Sequence, residues 1–294
     1  MFYRRKVLLA LLQLFGGRLD KVRLQKLLFL FTRMQPLPEY DFVPYKYGCY
    51  SFSANADLST MIAKGLLVES KNGYIKNDGK DYLTHIKVED RERLQRVKAD
   101  YGRMSTRALV KHTYIKYPFF ATRSEVAADF LDKRDLEKVE ASISRNSKAA
   151  LFTIGYEGIS LESYLVRLLL NDVRVLVDVR NTPLSMKYGF SKNQLKRYCE
   201  SLGINYVHIP ELGIEPKDRR HLNTQADYDK LFQSYRQRNL TKTKDQQMQI
   251  LELLMENQRV ALTCFEANIC QCHRKHLAEA IEKLPGFVYP VVHI

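Results

Sequence analysis

Arg259-Val-Ala-Leu-Thr-Cys-Phe-Glu-Ala-Asn-Ile-Cys-Gln-Cys-His-Arg274 joins the two patterns that decide the fold of the second half of the chain. Arg259 to Cys264 is almost wholly apolar, which is the composition of a buried strand. A helical pattern begins at His273 and runs to Leu284. Between them lies a strand-to-helix turn, where α/β proteins place functional groups. Three of the five cysteines, Cys264, Cys270 and Cys272, fall in this stretch, beside Glu266, His273 and Arg274.

Outward from this turn the same grammar repeats. Leu151–Gly155, Val173–Asp178, Ile204–Ile209 and Phe287–His293 read as strands. Leu161–Leu170, Lys192–Leu202, Tyr228–Arg238 and Asp245–Glu256 read as helices. Strands alternating with helices predict a Rossmann-like, doubly wound α/β domain with a parallel sheet over residues 149–294. Neither the Gly-x-Gly-x-x-Gly fingerprint nor a Walker A loop occurs, so neither NAD nor ATP is supported.

In such a sheet the residues just past the strands' carboxyl ends line one crevice. Those positions are Tyr156, Asp178 with Arg180, Glu211, Cys264 with Glu266, and His293. Cys272, expected near a helix N-terminus beside His273 and Arg274, has neighbours that lower a thiol pKa, which suits a nucleophile. Asp178 or Glu266 could serve as general base. Arg180 and Arg274 could hold a phosphate or carboxylate bidentately. The expected catalytic set is therefore Asp178, Glu266, Cys264 and Cys272. The expected substrate-binding set is Tyr156, Arg180, Glu211, His273, Arg274 and His293. Each also has a plain structural reading: Asp178–Arg180 as a local ion pair, Tyr156 as a packed aromatic, His293 as a frayed terminus. The basic loop 214–224 could cover the crevice with Arg219 or Arg220, or be ordinary surface.

Cys264, Cys270, Cys272 and His273 together offer four soft metal ligands. The spacing C-x5-C-x-C-H is unfamiliar for zinc, because adjacent Cys and His side chains rarely both reach one tetrahedral ion. A second Cys-x-x-Cys arm is also missing, so no metal or other cofactor is expected.

Thr153-Ile-Gly-Tyr156, Asp178-Val-Arg-Asn-Thr-Pro-Leu-Ser185, Phe190, Gly203-Ile-Asn-Tyr-Val-His-Ile-Pro-Glu-Leu-Gly213, Cys264-Phe-Glu266, Cys272-His-Arg274 and Val292-His-Ile294 occur in that order. Together they resemble the DUF488 family, over residues 151–294. The resemblance implies a fold and an active site; it does not supply a reaction.

The first half is built differently. Phe2–Phe15 carries Val7, Leu8, Leu11, Leu12 and Phe15 at helical spacing, and Gly16-Gly17 ends it. Its basic-then-apolar opening invites comparison with a signal peptide, but it lacks a small-residue cleavage site. Asp20 is placed to cap a helix over Lys21–Met34. Tyr40–Tyr50 reads as extended or irregular. A third helix over Ser53–Lys64 precedes a hairpin turning at Asn72-Gly73. Three helices and a hairpin make residues 1–85 winged-helix-like, with 86–148 a helical extension and linker. Aromatics interleave with bases over Met104–Phe120. They could form a base-stacking platform, although core packing is the more favoured reading.

The composition, 45% hydrophobic and 27% charged, is that of a globular protein, and no stretch is apolar enough for a membrane span. Bunched, odd-numbered cysteines do not make a secreted disulfide framework, so the cytoplasm is the expected location. The net charge is +14, and residues 1–148 hold 28 Lys/Arg against 17 Asp/Glu, or +11 of it. The charge fits a nucleic-acid surface or a solvated basic exterior with no partner; nucleic acid, DNA more than RNA, is the expected partner, with a small anionic ligand as a further one and self-association left open. The leading expectation is an enzyme, a hydrolase or transferase, acting on nucleic acid or a nucleotide. The alternative is a DNA-binding regulator whose α/β domain binds an anion without turnover.

Overall fold

The computed structural model describes residues 1–219, 222 and 224–294. The chain divides into two compact units, Met1–Ile143 and Ser144–Ile294. Among the described residues no helix is long and apolar enough to cross a membrane.

The first unit opens with α1 (Tyr3–Leu14), β1 (Arg18–Asp20) and α2 (Lys21–Thr32). Helix α1 ends where Gly16 and Gly17 adopt positive φ, a conformation that glycine takes at no steric cost. The Asp20 side chain then accepts the Arg23 amide and caps α2, as its position predicts. All six residues from Val7 to Leu12 are buried. Helix α1 is therefore enclosed on every side, where the periodicity pointed to a single face. Of the two readings open for Tyr40–Tyr50 the extended one holds: β2 (Val43–Tyr45) and β3 (Gly48–Tyr50) pair as a hairpin.

Helix α3 (Phe52–Ala63), capped by Ser51, leads into β4 (Leu67–Glu69) and β5 (Gly73–Lys76). The hairpin forms where the Asn-Gly pair predicts it, but Gly73 has a second reason to be glycine. Strand β1 pairs antiparallel with β5, and a Cβ on Gly73 would sit 2.1 Å from the Leu19 carbonyl oxygen. Helices α4 (Val88–Tyr101), α5 (Thr106–Lys116) and α6 (Lys133–Ala141) follow. Leu94, Val97, Tyr101 and Leu109 join the same apolar core as α1 and α2. The aromatics around α5 are core residues: Tyr114 is buried, and Tyr117 and Phe120 pack edge-on against Phe29.

The second unit holds β6 (Ala150–Gly155), α7 (Leu161–Leu170), β7 (Val175–Asp178), α8 (Lys192–Ser201) and β8 (Asn205–His208). After these come α9 (Gln225–Ser234), the short α10 (Leu240–Lys242), α11 (Lys244–Asn257), β9 (Arg259–Cys264), α12 (His273–Ile281) and β10 (Val291–His293). The five strands form one parallel sheet in the order β10-β6-β9-β7-β8. The chain runs outward from β6 to β7 to β8, then returns to β9 and β10. Because parallel crossovers are right-handed, this reversal sends the helices to opposite faces. Tyr164 of α7 reaches Thr263 on one face, while Leu262 packs with Leu251, Leu254 and Leu277 of α11 and α12 on the other. The domain is α/β with a parallel, Rossmann-like sheet covered on both sides, as expected.

In the first unit the Asp57 carboxylate, almost wholly buried, accepts from Arg4 Nε and Arg5 Nε at 2.6 Å each and from the Tyr40 hydroxyl at 2.9 Å. Asp57→Ala removes the buried acceptor that these three donors share. We expect it to cost about 3–5 kcal/mol, read as a lower urea midpoint for the first unit in the full chain.

Candidate functional site

Strand β9 lies between β6 and β7, the two strands whose following helices leave toward the other face. The carboxyl ends of these three strands thus frame the topological switch point, where open α/β sheets bind ligands. A cavity of about 450 Å³ opens there, lined by Tyr156, Arg180, Thr182, Ser185, Arg219 and Cys264 among others.

Side-chain alternation along the strands divides the polar groups between the two faces. Val175 and Val177 of β7 and Val260 and Leu262 of β9 share the α11–α12 core. Cys264 is in phase with Leu262 and faces the same side; Asp178 is one residue out of phase with Val177 and faces α7 and α8. Asp178 and Cys264 therefore have different partners, although the sequence placed both in one expected catalytic set.

Asp178 is fully buried. Arg180 Nε donates to its Oδ1 at 2.8 Å, Arg180 Nη2 to its Oδ2 at 2.5 Å, and the Tyr206 hydroxyl to Oδ2 at 2.6 Å. The Arg180 backbone amide adds a fourth bond, at 3.1 Å. Arg180 Nη1 donates to the Tyr156 hydroxyl at 2.7 Å and to the Phe190 carbonyl at 2.8 Å. Burial opposes the guanidinium's charge, but the Asp178 carboxylate outweighs it and keeps Arg180 firmly ionised. Tyr156 stacks on Phe190, with ring centroids 4.2 Å apart, and burial pushes its hydroxyl pKa up. Both Asp178 oxygens are spent within the protein. Asp178 is thus held as one half of an ion pair whose other half, Arg180, lines the cavity.

Cys264 is the centre of a second network. Its Sγ lies 3.0 Å from Glu266 Oε2 and 3.6 Å from His273 Nδ1. Arg219 donates through Nη1 to Glu266 Oε1 and through Nη2 to His273 Nδ1, the latter at 2.9 Å. His273 Nε2 faces the Val179 carbonyl oxygen at 3.1 Å, so that nitrogen carries the proton and Nδ1 is the acceptor. Burial would raise the Cys264 thiol pKa, but a hydrogen bond from Cys272 and the nearby Arg219 guanidinium hold it well below the ordinary thiol value. Cys272 moves the opposite way: burial and the electron-rich Cys264 push it well up. Cys264 is thus the more acidic of the two thiols. Glu266 is pushed up by burial and by Cys264.

Arg274 braces the turn instead of facing the cavity. Its Nη1 donates to the Glu266 carbonyl oxygen and to Cys272 Sγ, the latter at 3.2 Å, and Nη2 donates to the Ala267 carbonyl oxygen at 3.3 Å. This turn crosses directly over Gly155, where a Cβ would come 2.0 Å from the Glu266 carbonyl oxygen.

The remaining expected residues lie apart. Glu211 is exposed on a short turn after β8 and does not line the cavity. His293 lies on edge strand β10, where its Nδ1 meets Thr153 Oγ1 at 2.7 Å. Cys270 is exposed on the turn before α12. The loop from residue 214 does deliver Arg219; Arg220 is outside the described residues. Tyr206 and His208, whose Nε2 lies 2.9 Å from the Arg180 carbonyl oxygen, also support the site. In the sequence they appear as the polar pair of the Asn-Tyr-Val-His strand, inside the family-resembling stretch Gly203–Gly213.

Residues 160–281 match the family model described as Domain of unknown function DUF488. The C-terminal half carries a DUF488 domain. Within the matched span lie Asp178, Arg180, Arg219 and the whole Cys264–Arg274 turn; β6 with Tyr156 and β10 with His293 lie outside it. No curated protein matches the chain at a significant level.

Replacing Asp178 with alanine leaves Arg180 charged, buried and unpaired. We expect a loss of about 3–5 kcal/mol in chemical denaturation. Asp178→Asn, which keeps the shape, should lose less than the alanine variant.

Proposed function

We propose that the DUF488 domain is an enzyme, a hydrolase or transferase, acting on a phosphate-bearing ligand, either a nucleotide or a nucleic acid. The observation that carries this reading is the convergence of Tyr156, Arg180, Arg219 and Cys264 on one cavity at the switch point. Arg219 supplies the cation, half-buried and set beside Glu266 and Cys264. Asn181, Thr182 and Ser185 supply hydroxyl and amide groups at the same cavity. A low-dielectric wall strengthens each of these contacts with an anion.

The first unit is, in this reading, a winged-helix-like module that holds nucleic acid, DNA more than RNA. Its excess of basic residues supports that role. So do Lys71 at the tip of the β4–β5 hairpin and Lys64 and Lys80 flanking its open end, all exposed. One observation favours the alternative, a regulator that binds the anion without turnover: Asp178 is fully engaged and leaves one general base fewer for catalysis.

The test combines binding and turnover on the full chain, with single-stranded DNA, duplex DNA, RNA and nucleoside phosphates. Affinity should fall steeply, by about tenfold or more, between about 50 and 200 mM salt. Turnover of at least one of these substrates should drop by about 10²-fold in Arg219→Ala while salt-dependent binding persists. Binding without turnover selects the regulator. Absence of binding at low salt removes both readings.

A further inference from the structure

Four donor groups meet beside the cavity wall in an arrangement that anion binding does not explain. One ligand atom from each of Cys264, Glu266, Cys272 and His273 lies within 4.8 Å of all the others. Cys264, Cys272 and His273 are buried, and the Glu266 side chain is 14% exposed. We propose that these four residues form a zinc site on the wall of the crevice. The inference stands on the donor geometry and holds whether or not the crevice turns over a substrate.

Distance is the first support. With Zn–S near 2.3 Å and Zn–N near 2.05 Å, a tetrahedral ion sets its sulfur and nitrogen ligands about 3.6 Å apart. Cys264 Sγ and His273 Nδ1 are separated by 3.6 Å. Two thiolates, an imidazole and a carboxylate make a borderline-soft, four-donor set of the kind that suits zinc.

The surroundings supply the second. Histidines that bind metal through one nitrogen typically donate the other N–H to a carbonyl or carboxylate. Here His273 Nε2 faces the Val179 carbonyl oxygen, which fixes the tautomer and turns the Nδ1 lone pair toward Cys264. Arg219 holds Glu266 Oε1 and leaves Oε2 on the cysteine side. Arg274 Nη1 donates to Cys272 Sγ. Two thiolates and a carboxylate around Zn2+ leave one net negative charge, and Arg219 and Arg274 are adjacent to offset it. For the ion to enter, Arg219 Nη2 must release His273 Nδ1 while Nη1 keeps Glu266.

The objection from spacing also has a structural answer. Cys272 is the N-cap of α12 in an extended conformation, φ −127° and ψ 133°, while His273 is the first helical residue. That break in the backbone turns two adjacent side chains toward one point. Cys270, counted as a donor from spacing alone, is exposed, and Glu266 takes its place.

The test uses the full chain, reduced, stripped with chelator and titrated with Co2+ and then Zn2+. One equivalent of cobalt should give the intense visible bands of a tetrahedral centre together with thiolate charge transfer, and zinc should abolish both. Cys264→Ser and Cys272→Ser should each remove about half of the charge-transfer intensity, a readout of thiolate number that a folding defect would not mimic. Cys270→Ser should bind as the parent does. An absent cobalt spectrum overturns the proposal, as does one that survives Cys272→Ser or disappears in Cys270→Ser. Stoichiometric iron in place of zinc in the purified chain overturns the choice of ion.

Discussion

The DUF488 domain depends on one buried ion pair. Asp178 and Arg180 sit two residues apart at the end of β7, and between them they reach β8 through Tyr206, the end of β6 through Tyr156, and the 181–190 loop through the Phe190 carbonyl. Burying two charges is costly unless each has good partners. Each carboxylate oxygen here has two donors, and all three guanidinium nitrogens are engaged. The loop and the two neighbouring strands are thereby held in one geometry, and that geometry shapes the crevice.

The second network is assembled from the opposite face of the same sheet. Cys264 ends β9, and α12 returns Cys272 and His273 to it, while Arg219 arrives from a loop some 45 residues earlier in the chain. The two networks touch through the backbone: Val179, between Asp178 and Arg180, accepts from His273. A shift in the ion pair would therefore be felt at the histidine through one peptide group, with no side-chain contact between Asp178 and Cys264 required. Gly155 completes the arrangement by letting the Glu266 backbone cross over β6.

Much of this was legible in the chain itself. Strand and helix positions in the second half follow its periodicity closely, and Leu161–Leu170 and Arg259–Cys264 coincide with the expected spans. Parallel strands covered on both faces are written as plain apolar runs, a strong local signal. Asp20 as a cap and the hairpin near Asn72-Gly73 were equally readable, since caps and turns are local chemistry. Strands β2 and β3 were legible only as one of two readings, extended chain, and not as a hairpin: three-residue strands among tyrosines carry too little alternation to fix their pairing.

The sequence by itself determined which residues end the strands and which helices follow them, because both are set by local periodicity and capping. Only the tertiary structure decided how those strand-end groups are shared out. Strand order and side-chain parity are collective properties of the sheet: they sent Asp178 to one face and Cys264 to the other, and left Glu211 and His293 outside the cavity. The basic loop 214–224, for which crevice cover and ordinary surface were both open readings, brought in Arg219, and a break at the start of α12 turned Cys272 and His273 toward one point. These placements depend on contacts between segments far apart in the chain, so no local pattern encodes them.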